Sequence, residues 1–293
     1  APFYMKFVDW MLPNAADFMS PDGSRPYVAE HIAAAHTFFN VTNTFLFLPF
    51  LNTLAKLVIK ITPDLKQGKE EHHLVLLGNP KDTLPATAIV QVEVEIKKFK
   101  DIVDRMYNLT RNFVLSEQSD PDILKKINSY ENITDNIQKE VTVFSSQLME
   151  KALTHEQSVQ TQSFIRIADE LESIADYLEA MAHYKIRFNQ NFALVGEMQS
   201  EFTDFMTEIW DYFNICCKGL YEKSVISRIE CEEQSEKLRL KADSIRDKHL
   251  ERISKAEHDP LAALTYSDMV VALRKIRAHS LNVAQAIFSY RGV

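Results

Sequence analysis

Between Pro121 and Pro260 the chain has no proline, and Gly196 and Gly219 are the only glycines in that interval. A sheet protein of this length needs turn residues every ~8–12 residues. The interval cannot supply them, so long helices are required and an all-β or doubly wound sheet is excluded. Eight of the ten prolines lie at or before Pro85. The first part of the chain is therefore punctuated and the rest is not.

The charge balance narrows the function classes. Lys and Arg total 33 against 41 Asp and Glu, a net charge of −8. Nucleic-acid binding needs clustered Lys and Arg to neutralise phosphates, so this balance argues against it. Cys216, Cys217 and Cys231 show neither C-x-x-C nor Cys/His zinc spacing, which fits a reducing compartment. P-loop, Rossmann, H-E-x-x-H and G-x-S-x-G patterns are all missing, so no catalytic role is expected.

Residues 1–29 are broken by Pro2, Pro13, Pro21, Gly23 and Pro26. The opening APFYMKFVDWMLP reads as the end of a longer segment, followed by a polar loop. From Ile32 to Leu51 no Asp, Glu, Lys or Arg occurs, which is the length of a hydrocarbon core. A membrane helix is expected within 30–61. Lys56, Lys60, Lys66 and Lys69 follow it, so the positive-inside rule places what comes after on the cytoplasmic side. The mean hydropathy of −0.20 averages over such a span without revealing it. His36, Asn40 and Asn43 recur at helical spacing on one face of the span. They serve either interhelical hydrogen bonding or contact with a transported solute. Residues 62–85 read as a linker, with a short extended piece at Leu74–Leu77.

From Ala86 onward apolar residues recur every three or four positions. Val92, Ile96, Phe99, Val103, Met106 and Phe113 make one seam. Ile123, Ile127, Tyr130, Ile137, Val141, Phe144 and Leu148 make the next. Sustained spacing of this kind predicts antiparallel bundle helices. Further helices are expected near 156–189, 191–218, 221–256 and 261–290. Asp120-Pro121 and Asp259-Pro260 pair an N-cap with proline at the first helical position. Six helices in 86–293 invite a search for duplication. Arg166–Ala182 aligns with Val270–Ala284 at an offset of 102 (273 − 171), and Glu131–Val141 aligns with Glu232–Ala242 at 101 (232 − 131). The near-equal offsets predict two three-helix repeats.

Glu131 and Asp135 are four residues apart, and so are Glu172 and Asp176. Each pair projects two carboxylates from one helix face. Hard oxygen donors on facing helices suit a divalent cation or iron, and the same pattern also describes a solvated acidic face. Asp169 and His183 lie seven residues either side of Asp176, close to that face. In the second repeat the matching positions are Glu232, Glu236, Arg274 and Ala278. One cation site in the first repeat is therefore more plausible than two, with His279 beside Ala278 as a stand-in ligand or a structural residue. The Cys216-Cys217 pair in WDYFNICCKGLY reads as packing. The basic run from Lys237 to Arg252 reads as a solvated face or a docking face for phospholipid or a membrane domain.

These segments carry a resemblance. AAAHTFFNVTNTFLFLPFLNTLAKLV resembles the last membrane helix of bacterial type II sodium/phosphate cotransporters, and TLPATAIVQVEVEI resembles the entry to their cytosolic tail. DELESIADYLEAMA resembles a PhoU-type helix, and LRKIRAHSLNVAQAI a second copy. The resemblance implies an all-α chain with one C-terminal transmembrane helix followed by a PhoU-like bundle of two three-helix repeats over 86–293. It implies a fragment of a sodium-coupled phosphate symporter whose bundle is regulatory. The implied partners are the rest of the membrane domain, inorganic phosphate, sodium as coupling ion and the bilayer, with a homodimer also open. It implies a metal at Glu131, Asp135, Glu172 and Asp176. The Gln/Ser-rich transport motifs of that family are not in this stretch, so no substrate-binding residue is assigned. A membrane-tethered PhoU-like signalling or scaffold protein, without transport of its own, is the alternative. A helical metalloprotein with no membrane span is a third reading.

Overall fold

The computed structural model describes residues 2–12, 15–21, 23–51, 53, 82–187, 194, 196–222, 227–255 and 260–292. Among them every regular element is helical. The chain divides into two compact units, Ala1–Glu70 and Glu71–Val293.

The first unit holds α1 (Pro2–Met11) and α2 (Val28–Phe47), with a 3₁₀ turn at Leu48–Phe50. Phe7 and Phe38 bring the two helices together, with ring centroids 4.7 Å apart. His31 is buried between them. Its Nδ1 donates to the Tyr27 carbonyl at 2.9 Å, and its Nε2 stands 3.4 Å from Asp9.

The span expected at 30–61 is described only as far as Leu51 and at Thr53. No helix among the described residues is long and apolar enough to cross a membrane. Two features of the sequence bear on the described part. His36, Thr37, Asn40, Thr42, Asn43 and Thr44 dilute the apolar content of α2, and Pro49 falls in the 3₁₀ turn, so the apolar run Leu46–Leu51 straddles the helix end. Lys56, Lys60, Lys66, Lys69 and the stretch Leu74–Leu77 lie outside the described residues, as does Asp259.

The second unit holds α3 (Pro85–Leu115), α4 (Pro121–Met149), α5 (His155–Arg187), α6 (Gly196–Cys217), α7 (Arg228–Ser254) and α8 (Pro260–Arg291). Every seam residue named for the first bundle helix is buried: Val92, Ile96, Phe99, Val103, Met106 and Phe113. The second seam is buried from Ile127 to Leu148, with Ile123 half-buried at its start. Helix starts follow capping chemistry. Asp120 accepts the Asp122 backbone N–H at 2.8 Å and Pro121 opens α4. Ser227 and Glu230 form a reciprocal capping box at the start of α7. Gly196 enters α6 at φ +59°, a left-handed conformation that side chains disfavour.

Helices α3, α4 and α5 pack as one trio, and α6, α7 and α8 as another. The most extensive helix pair joins the third helix of each trio, α5 with α8. They run antiparallel: Arg166 reaches Gln285 at 3.2 Å at one end, and Arg187 pairs with Asp268 at 3.1 Å at the other. The first helices also touch, through Tyr107 of α3 stacked on Trp210 of α6 at 3.8 Å and 2°. Where α3 ends, Lys185 of α5 is fully buried. Its ammonium donates to the Phe113 and Ser116 carbonyls and to Ser116 Oγ, 2.9 Å away. Three donors meet three acceptors, which closes the C-terminal end of α3.

Candidate functional site

The α4–α5 hairpin places Glu131 and Asp135 of α4 beside Glu172 and Asp176 of α5. Glu131, Asp135 and Glu172 are half-buried at the edge of the core, next to residues such as Ile133, Thr134 and Ile174, while Asp176 is exposed beside the buried Ala175. Their charges act on one another. Burial, and then the charges of Glu179, Asp176 and Asp135, push Glu131 above the ordinary carboxylate range. Burial followed by Asp176, Asp135 and Asp169 does the same to Glu172. Burial followed by Glu179 and Asp135 raises Asp176. Each shift has the sign expected of partly desolvated like charges. Lys139 offsets part of this by donating to Asp135 at 2.5 Å.

The fold thus gathers the four predicted residues into one acidic seam and adds Glu179, which the spacing argument had not included. Among the described residues no group of three or more His, Cys, Asp or Glu side chains is placed to hold a metal ion. The donor chemistry suits a hard cation, and the side-chain positions do not enclose one. The two flanking candidates have other partners. Asp169 accepts from Gln138 Nε2 at 2.6 Å, and His183 stands 3.4 Å from Glu179.

The second trio treats the same positions differently. Glu236, which matches Asp135, takes two bonds from Arg239 at 2.6 and 2.8 Å. Arg239 also reaches Asp243 at 2.8 Å, and Arg274, at the position of Glu172, stands 3.3 Å from Asp243. Positive charge fills the place where the first trio leaves repulsion. His279 takes no part in that seam. It meets Glu170 across the α5–α8 boundary at 2.7 Å, and Asn282 donates to the same oxygen at 3.1 Å. Burial pushes Glu170 up, but these two hydrogen bonds and the nearby positive charge outweigh it and hold the carboxyl below its usual range.

On α2, Asn40 Nδ2 and His36 Nδ1 are 3.2 Å apart and both residues are exposed, while Asn43 is half-buried. The three share a face, as their spacing required. The basic stretch of α7 is not a free face. Lys241 pairs with Glu208 at 2.6 Å, and Arg252 and Lys248 converge on Glu201 at 2.9 and 3.4 Å. Glu201, Lys241, Lys248 and Arg252 line a groove of about 910 Å³ between α6 and α7. Its acids and bases are interleaved, which gives it no preference for either sign of ligand. The alternation of charge was visible in the sequence; the acidic partners on α6 were not.

Residues 96–184 match the family model of the PhoU domain, and all four seam carboxylates lie inside that stretch. The matched stretch runs from the first third of α3 almost to the end of α5, so a PhoU domain occupies the first trio. No curated protein and no solved structure matches the chain.

Proposed function

We propose that the bundle α3–α8 is a regulator of phosphate homeostasis rather than an enzyme, and that it serves as the cytoplasmic regulatory part of a sodium-dependent phosphate symporter. The PhoU domain over the first trio carries the first half of this reading. The second half rests on the sequence from Ala33 to Val58. It is supported by α2, whose Ile32, Phe39, Phe45, Leu46 and Phe47 are exposed and offer apolar contact to the rest of a membrane carrier. In this reading the carrier moves inorganic phosphate with sodium, and the bundle biases its inward-open against its outward-open state. A divalent cation on Glu131, Asp135, Glu172 and Asp176 is part of the proposal. Carboxylates from two helices would close on it, and relief of their mutual repulsion would favour binding.

The test is phosphate uptake by the full-length protein with and without residues 86–293. A changed rate, or a changed response to external phosphate, supports the regulatory role; unchanged uptake and response overturn it. A PhoU-like signalling or scaffold protein without transport is favoured by the hydropathy of α2, which falls below that of a membrane span. No sodium-dependent uptake by the intact protein would select that reading.

A further inference from the structure

Three thiols lie in the second trio, all free and buried. Two of them face each other. Cys216, in the last turn of α6, and Cys231, in the first turn of α7, have their sulfurs 3.6 Å apart. Cys217, though adjacent in sequence, belongs to the main core, whereas Cys216 and Cys231 sit with Tyr212, Ala284 and Phe288 in a small cluster of their own. We propose that Cys216 and Cys231 are a reversible dithiol–disulfide switch, oxidised by peroxide, that ties the end of α6 to the start of α7.

The geometry is close to that of the bonded state. A disulfide needs ~2.05 Å between sulfurs, so about 1.5 Å of approach closes it. The chemistry also distinguishes the two thiols. Cys231 lies where the N-terminal end of a helix favours a thiolate. Tyr212 OH donates to the Cys231 carbonyl at 3.1 Å and lies 3.4 Å from its sulfur. The hydrogen bond with Cys216 lowers Cys231 against the effect of burial, while burial pushes Cys216 up. Cys231 is therefore the attacking sulfur and Cys216 the resolving one. Cys231 is fully buried, while every other residue from Ser227 to Glu233 is exposed, so hydrogen peroxide reaches the sulfur when this first turn of α7 opens locally.

The steps balance. The Cys231 thiolate attacks one peroxide oxygen, the O–O bond breaks, and the leaving hydroxide takes a proton to become water. This leaves Cys231 as a sulfenic acid. The Cys216 sulfur then attacks the Cys231 sulfur and expels a second water, formed from the sulfenic hydroxyl and the Cys216 proton. Two thiols are oxidised and one peroxide is reduced to two waters. A dithiol reductant reverses the bond, as a switch in a reducing compartment requires.

The experiment is thiol counting and peptide mapping of the full chain after hydrogen peroxide. Thiols titrated under denaturing conditions should fall from three to one and return to three with dithiothreitol. The tryptic peptide 229–237 should be cross-linked to the peptide that ends at Lys218. Cys217→Ser should keep the cross-link, which assigns it to Cys216. Cys216→Ser should lose it and leave a Cys231 sulfenic acid that dimedone traps. Four outcomes would overturn the proposal: three unchanged thiols, a bond through Cys217, a bond between two chains, or sulfinic acid without a cross-link. The wild-type map decides the matter even if a variant fails to fold, and circular dichroism checks that each variant tested is helical.

Discussion

Tyr177 of α5 and His279 of α8 lie ring against ring, with centroids 5.6 Å apart and planes at 33°. They are the same position of the two repeats, since 279 − 177 = 102 is the offset that superimposes Leu171 on Leu273. A contact between equivalent positions on two antiparallel helices is what a local two-fold makes. The contact follows the offset read in the sequence, and the boundary between the two trios runs beside this pair.

The Glu170–His279 bond should govern how firmly the halves are joined. His279→Ala removes one of two donors from a carboxylate that is mostly buried. The expected loss is about 1–3 kcal/mol in urea or thermal unfolding. Glu170 sits below the ordinary carboxylate range in the fold. Its contribution is therefore present above the unfolded value of ~4.3 and is lost as the pH falls through the folded value. The variant should flatten that acid limb, and an unchanged limb would show that the bond contributes nothing.

The acidic seam should behave in the opposite sense. Glu131, Glu172 and Asp176 are raised in the fold, so the native state binds more protons than the unfolded chain between the two values. Stability then falls as the pH rises through that interval. Glu172→Gln or Asp176→Asn should raise the midpoint at neutral pH, by about 0.5 kcal/mol for each like-charge pair removed, and do nothing once the carboxyls are protonated. Millimolar Mg²⁺ or Mn²⁺ should raise the wild-type midpoint and leave the Asp176→Asn midpoint where it was. Equal shifts in both proteins would remove the cation from the seam.

Lys185 should be needed as a donor rather than as a charge on the surface. Burial lowers its ammonium to about 8, so at neutral pH it still carries the three protons that its three acceptors use. Lys185→Met fills similar space and leaves the Phe113 and Ser116 carbonyls without that partner. A loss of about 1–3 kcal/mol is expected, with amide exchange accelerating first in the last turn of α3. A neutral substitution would mean that other donors can close that end.

Glu201 should be the anchor of the α6–α7–α8 trio. Arg252 and Lys248 reach it from α7, and Tyr266 of α8 donates to it at 3.0 Å. Glu201→Ala strands a mostly buried arginine and a fully buried tyrosine hydroxyl, and should cost about 2–4 kcal/mol. Glu201→Gln keeps an acceptor for Tyr266 and should cost less. Comparable losses in the two variants would show that the charge is not what matters.

The bundle was legible because its signals are local. Proline and glycine placement fixed the number of long helices, and spacing of three and four fixed their buried faces from Val92 to Leu148. The start expected for α7, at 221, lies seven residues, about two turns, before the observed one at Arg228. The S-x-x-E pattern at Ser227–Glu230 was there to be read and marks the true start. The carboxylate pairs were legible along each helix. Their mutual repulsion was not, because it depends on how α4 and α5 face each other. His279 was out of reach for a similar reason, since its partner Glu170 is 109 residues away. On α2, the stretch from Ile32 carries no charge, yet six hydroxyl, amide and imidazole side chains lie within it.

Helix α5 borders both the acidic seam and the boundary between the repeats. Its 33 residues make a rod ~50 Å long. Asp176 on one side and Glu170 on another are less than two turns apart along it. A load placed on the seam, whether a proton or an ion, is therefore borne by the same rigid member that grips His279. The first trio cannot shift α5 by a full turn without releasing the second.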